Sequence, residues 1–121
     1  METRTIASNM DGVPDMQAEI IVSGNGDVRA NRADNVSMHY TGTYPDGRSF
    51  DSSRDRGAPF QFRLGIGQVI RGWDLVVAEM SVGDRWSVQI PYQLAYGEAG
   101  HPAGIPAKQD LIFDMELLEV Q

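Results

Sequence analysis

The chain has no cysteine, so neither a disulfide nor a thiol nucleophile is open to it. Two histidines leave almost no material for a metal site built on histidine or cysteine. Basic residues are few: nine arginines and the single Lys108 stand scattered against 17 acids, for a net charge of -7. Such a balance repels a phosphate backbone, so nucleic acid is not an expected partner. No apolar run approaches the ~20 residues of a membrane helix, and no membrane partner is expected. Residues 1–9 lack the apolar stretch of a signal peptide, which favours the cytoplasm, although a removed export segment would leave the same residues. Any catalysis falls to oxygen groups, backbone and shape.

What remains is ordinary for a globular protein: 121 residues, 41% hydrophobic and 22% charged, enough for one domain. Residues 1–14 show no sustained period and contain Asn9, Asp11, Gly12 and Pro14; they read as a flexible N-terminal arm outside the core, with the domain proper at 15–121. The run Ala18-Glu19-Ile20-Ile21-Val22 reads as a strand, stopped by the turn-forming Ser23-Gly24-Asn25-Gly26. Met38 and Tyr40 alternate with polar residues up to Gly42, and Pro45-Asp46-Gly47 turns the chain toward Phe50 as a hairpin. Phe60, Phe62 and Leu64 alternate likewise, as do Trp86, Val88 and Ile90, and Leu111, Phe113, Met115 and Leu117. Trp86 belongs to the core by that period.

One segment has helical period: Val69, Ile70, Trp73, Val76, Val77 and Met80 share a side, with Gly83 close behind. We read a single short helix. Strands joined by hairpin-like links around it predict an α+β fold, an antiparallel sheet with one helix across its face.

Chemistry-bearing residues are sparse, and aromatics dominate them. Val36-Ser37-Met38-His39-Tyr40-Thr41-Gly42, then Phe50-Asp51-Ser52-Ser53-Arg54-Asp55-Arg56, then Val69-Ile70-Arg71-Gly72-Trp73-Asp74, then Ala95-Tyr96-Gly97 describe an aromatic-lined pocket with little polar chemistry. Read alone, Asp51 fits a solvated surface charge, Trp73 a core residue, and Tyr96 and His101 a loop of turns. His39 alternates away from Tyr40 and reads as structurally satisfied.

These motifs and their order, from about Glu19 to Val120, resemble the FKBP family, peptidyl-prolyl cis-trans isomerases that bind macrolides such as rapamycin and tacrolimus. The resemblance implies a twisted antiparallel half-barrel wrapped around the helix. It implies catalytic positions at Tyr40, Asp51, Trp73, Tyr96 and Phe113. Trp73 would floor the pocket, Tyr96 would hydrogen bond a ligand, and His101 would sit on the rim. Phe50, Arg56, Phe60, Gln68, Val69, Ile70, His101 and Ile105 would complete the binding surface for proline peptides, unfolded clients and possible macrolides. No metal or cofactor is expected, and a monomer is.

The reaction suits such a site. Amide rotation faces a barrier of ~18–20 kcal/mol from resonance, which removal of water from the imide carbonyl weakens without any bond being made. Two departures from the family stand out. Its human-type loop has two isoleucines between prolines where this chain reads His101-Pro102-Ala103-Gly104-Ile105-Pro106, which puts macrolide affinity in question more than catalysis. Between Gly97 and Asp110 there is only a short loop, where some bacterial relatives insert a chaperone domain, so strong holdase activity is not expected. Two other readings are a docking module that keeps the pocket without useful turnover, and a hydrolase using Asp51 with Asp55 or Glu98. The second lacks a companion nucleophile or oxyanion motif.

Overall fold

A computed structural model describes residues 2–121. Seven strands form one sheet: β1 (Thr3–Ile6), β2 (Met16–Val22), β3 (Asn35–Thr43), β4 (Ser49–Ser52), β5 (Phe60–Arg63), β6 (Arg85–Ile90) and β7 (Leu111–Val120). Their spatial order is β1-β2-β6-β7-β3-β4, every pairing antiparallel, with β5 also on β3. The helix α2 (Arg71–Val77) packs on the apolar face. This is the α+β architecture expected. No helix among the described residues is long and apolar enough to cross a membrane.

Period-2 patterning sets the buried face. Leu111, Phe113, Met115 and Leu117 point inward from β7, Trp86, Val88 and Ile90 from β6, and Val36, Met38 and Tyr40 from β3. Trp73, Val76 and Val77 of α2, with Met80 just beyond, close the core from the other side. The approach is close: a Cβ on Gly72 would lie 2.6 Å from the Ile90 side chain. A second glycine, Gly42 in β3, makes room for aromatics, since its Cβ would meet Phe50 at 2.5 Å and Phe113 at 2.8 Å.

The helix is shorter than its apolar period. Ile70 is extended (φ -57°, ψ 148°), its carbonyl taking the first helical bond from Trp73 N at 3.0 Å. After Val77 the turn tightens to i→i+3 bonds from Glu79 N to Val76 O and Met80 N to Val77 O, so the apolar stripe outlasts the α-helix. Gly83 is no helix cap; at φ +95° it belongs to the turn entering β6.

Two expectations need correction. A second helix exists, the single turn α1 (Ser53–Arg56), capped by Ser52 Oγ accepting from Asp55 N at 3.3 Å and ended by Gly57 at φ +75°. The N-terminal segment is also not outside the core. Residues Thr3–Ile6 pair with β2, Ile6 is 1% exposed, and Ser8 is buried with its Oγ donating to Val13 O at 2.8 Å.

Candidate active site

β4 and β5 share one edge of β3, β5 against residues 35–38 and β4 against residues 41–43. The ladder is interrupted between them, and α1 fills the gap. Its buried Ser53 accepts from Tyr40 N at 2.8 Å, donates to Tyr40 O at 3.3 Å and lies 2.9 Å from His39 Nδ1. Tyr40 is thereby fixed by its own main chain, and His39 has the structural partner expected of it.

The same turn of helix brings Arg56 back over Asp51. Tyr40 Oη donates to Asp51 Oδ2 at 2.5 Å, Arg56 Nη2 donates to Tyr40 Oη at 2.9 Å, and Arg56 Nη1 pairs with Asp51 Oδ1. Partial desolvation pushes the Asp51 pKa up, but the hydrogen bonds from Tyr40 and Arg56 and the guanidinium charge outweigh it and hold it below the ordinary value. Burial, then the bond to Asp51, raises the Tyr40 phenol. The carboxylate therefore stays charged and the phenol protonated near neutrality.

Trp73 is the hub of the aromatic side. Tyr40 meets it at 4.7 Å between ring centroids, Phe113 at 5.2 Å and Phe60 at 5.7 Å, all edge to face. It is 6% exposed, and its Nε1 has no hydrogen-bond partner among the described residues. Two cavities share Tyr96. One, about 290 Å³, is lined by Tyr40, Phe60, Gln68, Val69, Ile70, Trp73 and Tyr96. The other, about 340 Å³, is lined by Phe50, Asp51, Tyr96, His101, Ala103 and Ile105.

Every residue that the family resemblance assigned to the site therefore lines this region except two, whereas Asp55 and Glu98 line neither cavity. Phe113, 2% exposed, packs behind Trp73 and Phe50, and Arg56 stands behind Asp51 and Tyr40. Gln68 faces the cavity while its Oε1 accepts from Arg63 N at 2.8 Å. The Tyr96 phenol is raised by burial and by the charge of Asp51. It makes no hydrogen bond to the described residues, which leaves it free for a ligand.

The sequence reading missed three supports. Ser53 carried a legible sign, the Ser52-x-x-Asp55 cap followed by Gly57. Asp74, buried on α2, accepts from Gly65 N at 2.8 Å and Gly67 N at 3.3 Å and so braces the loop leading to Val69. Tyr44 reaches across to the 101–105 loop, a contact no local pattern announces.

A larger concavity, about 430 Å³, lies elsewhere, between Pro14, Pro45 and Pro91. It has no aromatic wall, and its Asp15 and Asp110 already accept the amides of Ser8 and Tyr92. The aromatic side chains line the two smaller cavities instead.

Residues 26–118 match the profile described as FKBP-type peptidyl-prolyl cis-trans isomerase. The chain is 50% identical over 104 residues to FK506-binding protein 1 of Debaryomyces hansenii, covering 86% of this chain and 93% of that one. It is 48% identical over 106 residues to peptidyl-prolyl cis-trans isomerase Fkbp12 of Drosophila melanogaster, covering 88% and 98%. Against a peptidyl-prolyl cis-trans isomerase of Schizosaccharomyces pombe the identity is 45% over 105 residues, covering 87% and 94%.

Proposed function

The chain belongs to the FKBP-type peptidyl-prolyl cis-trans isomerases, and on that premise we propose that it speeds X-Pro rotation at the cavity above Trp73. The supporting observation is the convergence of Tyr40, Phe60 and Phe113 edge-on around Trp73, beside the Tyr40–Asp51–Arg56 network. The substrate proline lies over Trp73, flanked by Tyr40 and Phe60, with Phe113 packed behind. The residue before it occupies the second cavity, against Ala103 and Ile105.

Water excluded by these walls is the main catalytic device. The planar amide owes its stiffness to a charge-separated resonance form, and an apolar surround disfavours that form relative to the twisted transition state. Tyr96 Oη and the Tyr40–Asp51 pair hold the twisted conformer. Lowering the barrier by ~5–7 kcal/mol corresponds to roughly 10⁴–10⁵-fold. No bond is made or broken, so the step needs neither nucleophile nor proton acceptor.

The domain, β1 included, serves proline-bearing peptides and unfolded chains as a cytoplasmic monomer, and a macrolide of the tacrolimus or rapamycin type occupies the same cavity. Gly104 bears on the second point. At φ +111° it adopts a backbone disfavoured for a bulky side chain, so an isoleucine there would require a different loop.

The test is isomerisation of a Leu-Pro peptide by the purified protein with tacrolimus titrated in. Catalysis falling in step with a change in Trp73 emission is expected, with Trp86 as constant background. Catalysis that persists at saturating macrolide while the emission changes would place the reaction elsewhere, and no rate above background would leave a docking module.

A further inference from the structure

The loop 98–107 supplies three walls of the second cavity, His101, Ala103 and Ile105. Most of its hydrogen bonds are its own. His101 N donates to Ile105 O at 2.9 Å, Ile105 N to His101 O at 3.2 Å, Gly104 N to His101 O at 3.1 Å and Ala103 N to His101 Nδ1 at 3.0 Å. Among the described residues, a single hydrogen bond ties residues 98–107 to the rest of the molecule. Tyr44 Oη donates to Gly104 O at 3.2 Å, across 60 positions of sequence.

The anchor is braced by its own turn. Tyr44 opens the hairpin turn between β3 and β4, with Tyr44 N donating to Arg48 O and Gly47 N donating to Tyr44 O, both at 2.9 Å. Pro45 presets the backbone there, and Asp46 accepts from Arg48 N at 2.9 Å. The Tyr44 ring is held as well, its centroid 5.2 Å from Phe50 and 5.0 Å from the Arg48 guanidinium carbon. Phe50 itself lines the cavity that the loop closes.

We propose that Tyr44 is a specificity-determining positioning residue: its hydroxyl holds the 101–105 wall at the distance that lets the side chain before proline pack against Ala103 and Ile105. The proposal rests on the placement of that side chain in the second cavity. A leucine is large enough to reach this wall; an alanine is not. The tether therefore acts on large preceding residues and hardly on small ones.

The experiment compares kcat/KM for Leu-Pro and Ala-Pro peptides in the wild type and in Tyr44→Phe, which keeps the ring and removes only the hydroxyl. One neutral hydrogen bond is worth about a two- to fivefold effect, so the Leu-to-Ala rate ratio should fall by that factor. Amide exchange at Gly104 and Ile105 should quicken in the same variant, which a loss of global stability would instead spread over the whole sheet. A wild type without preference for Leu over Ala would overturn the placement of the preceding residue. A wild-type preference that Tyr44→Phe leaves intact would overturn the role of Tyr44 alone.

Discussion

At the scale of the residue, the site depends on how one carboxylate is held. Asp51 has a folded pKa below its unfolded one, so its contribution to stability is fully present above about pH 4, the unfolded value, and is lost as pH falls through the folded value. Acid-unfolding curves should therefore shift less with pH in Asp51→Ala than in the wild type. In the proposed mechanism Asp51 orients and polarises, so Asp51→Ala should lower kcat/KM for a Leu-Pro peptide by about tenfold, the worth of one charge-assisted hydrogen bond, without abolishing it. A residue away from the cavities offers a different check. Ala33 sits at φ +74°, which costs an alanine ~1 kcal/mol, so Ala33→Gly should raise stability by about 0.5–1 kcal/mol in urea titrations and leave turnover unchanged. The aromatic residues were legible because they lie in the continuous motifs around Tyr40, Asp51 and Trp73. The support from Ser53 to the main chain of Tyr40 was less so, because a serine's value depends on a gap in the β3 ladder that only the fold reveals.

At the scale of the element, strands with three or four alternating apolar residues declared themselves, whereas β1 did not. Its Thr-Arg-Thr-Ile sequence offers one buried residue, and one residue makes no period. Its value comes from partners distant in sequence: Arg4 pairs with Glu79 at 3.0 Å and lies over the Trp86 ring at 5.5 Å, and Ile6 enters the core. Removing residues 1–14 should cost about 2–4 kcal/mol, largely from the lost burial of Ile6 and the cavity left behind, read as a lower urea midpoint. The Leu-Pro rate of the folded fraction should be preserved, because none of these residues lines the aromatic cavities. Loss of both together would mean that β1 shapes the site. The helix was visible through its period, but its ends were not. Apolar spacing continues through the extended Ile70 and the tightened turn at Met80, so the stripe marks what faces the core rather than what is α-helical.

At the scale of the whole molecule, alternation and turn chemistry were enough for an antiparallel sheet over one helix, but not for its strand order. That β2 lies against β6, and β3 against β7, follows from packing between segments far apart in sequence. The net charge of -7 acts at this scale too. Leu-Pro peptides flanked by lysines should be turned over faster than those flanked by glutamates at low ionic strength, with the difference shrinking as salt screens the field. The central claim is that an apolar, water-excluding cavity drives rotation without proton transfer. Its most direct test is the pH dependence of kcat/KM for a Leu-Pro peptide from pH 6 to 8, in the wild type and in a folded Asp51→Asn variant. The fixed charge of Asp51 and the protonated Tyr40 predict a nearly flat profile for both, the variant lying lower throughout. A bell-shaped wild-type profile that collapses in Asp51→Asn would show a proton in flight and contradict the account.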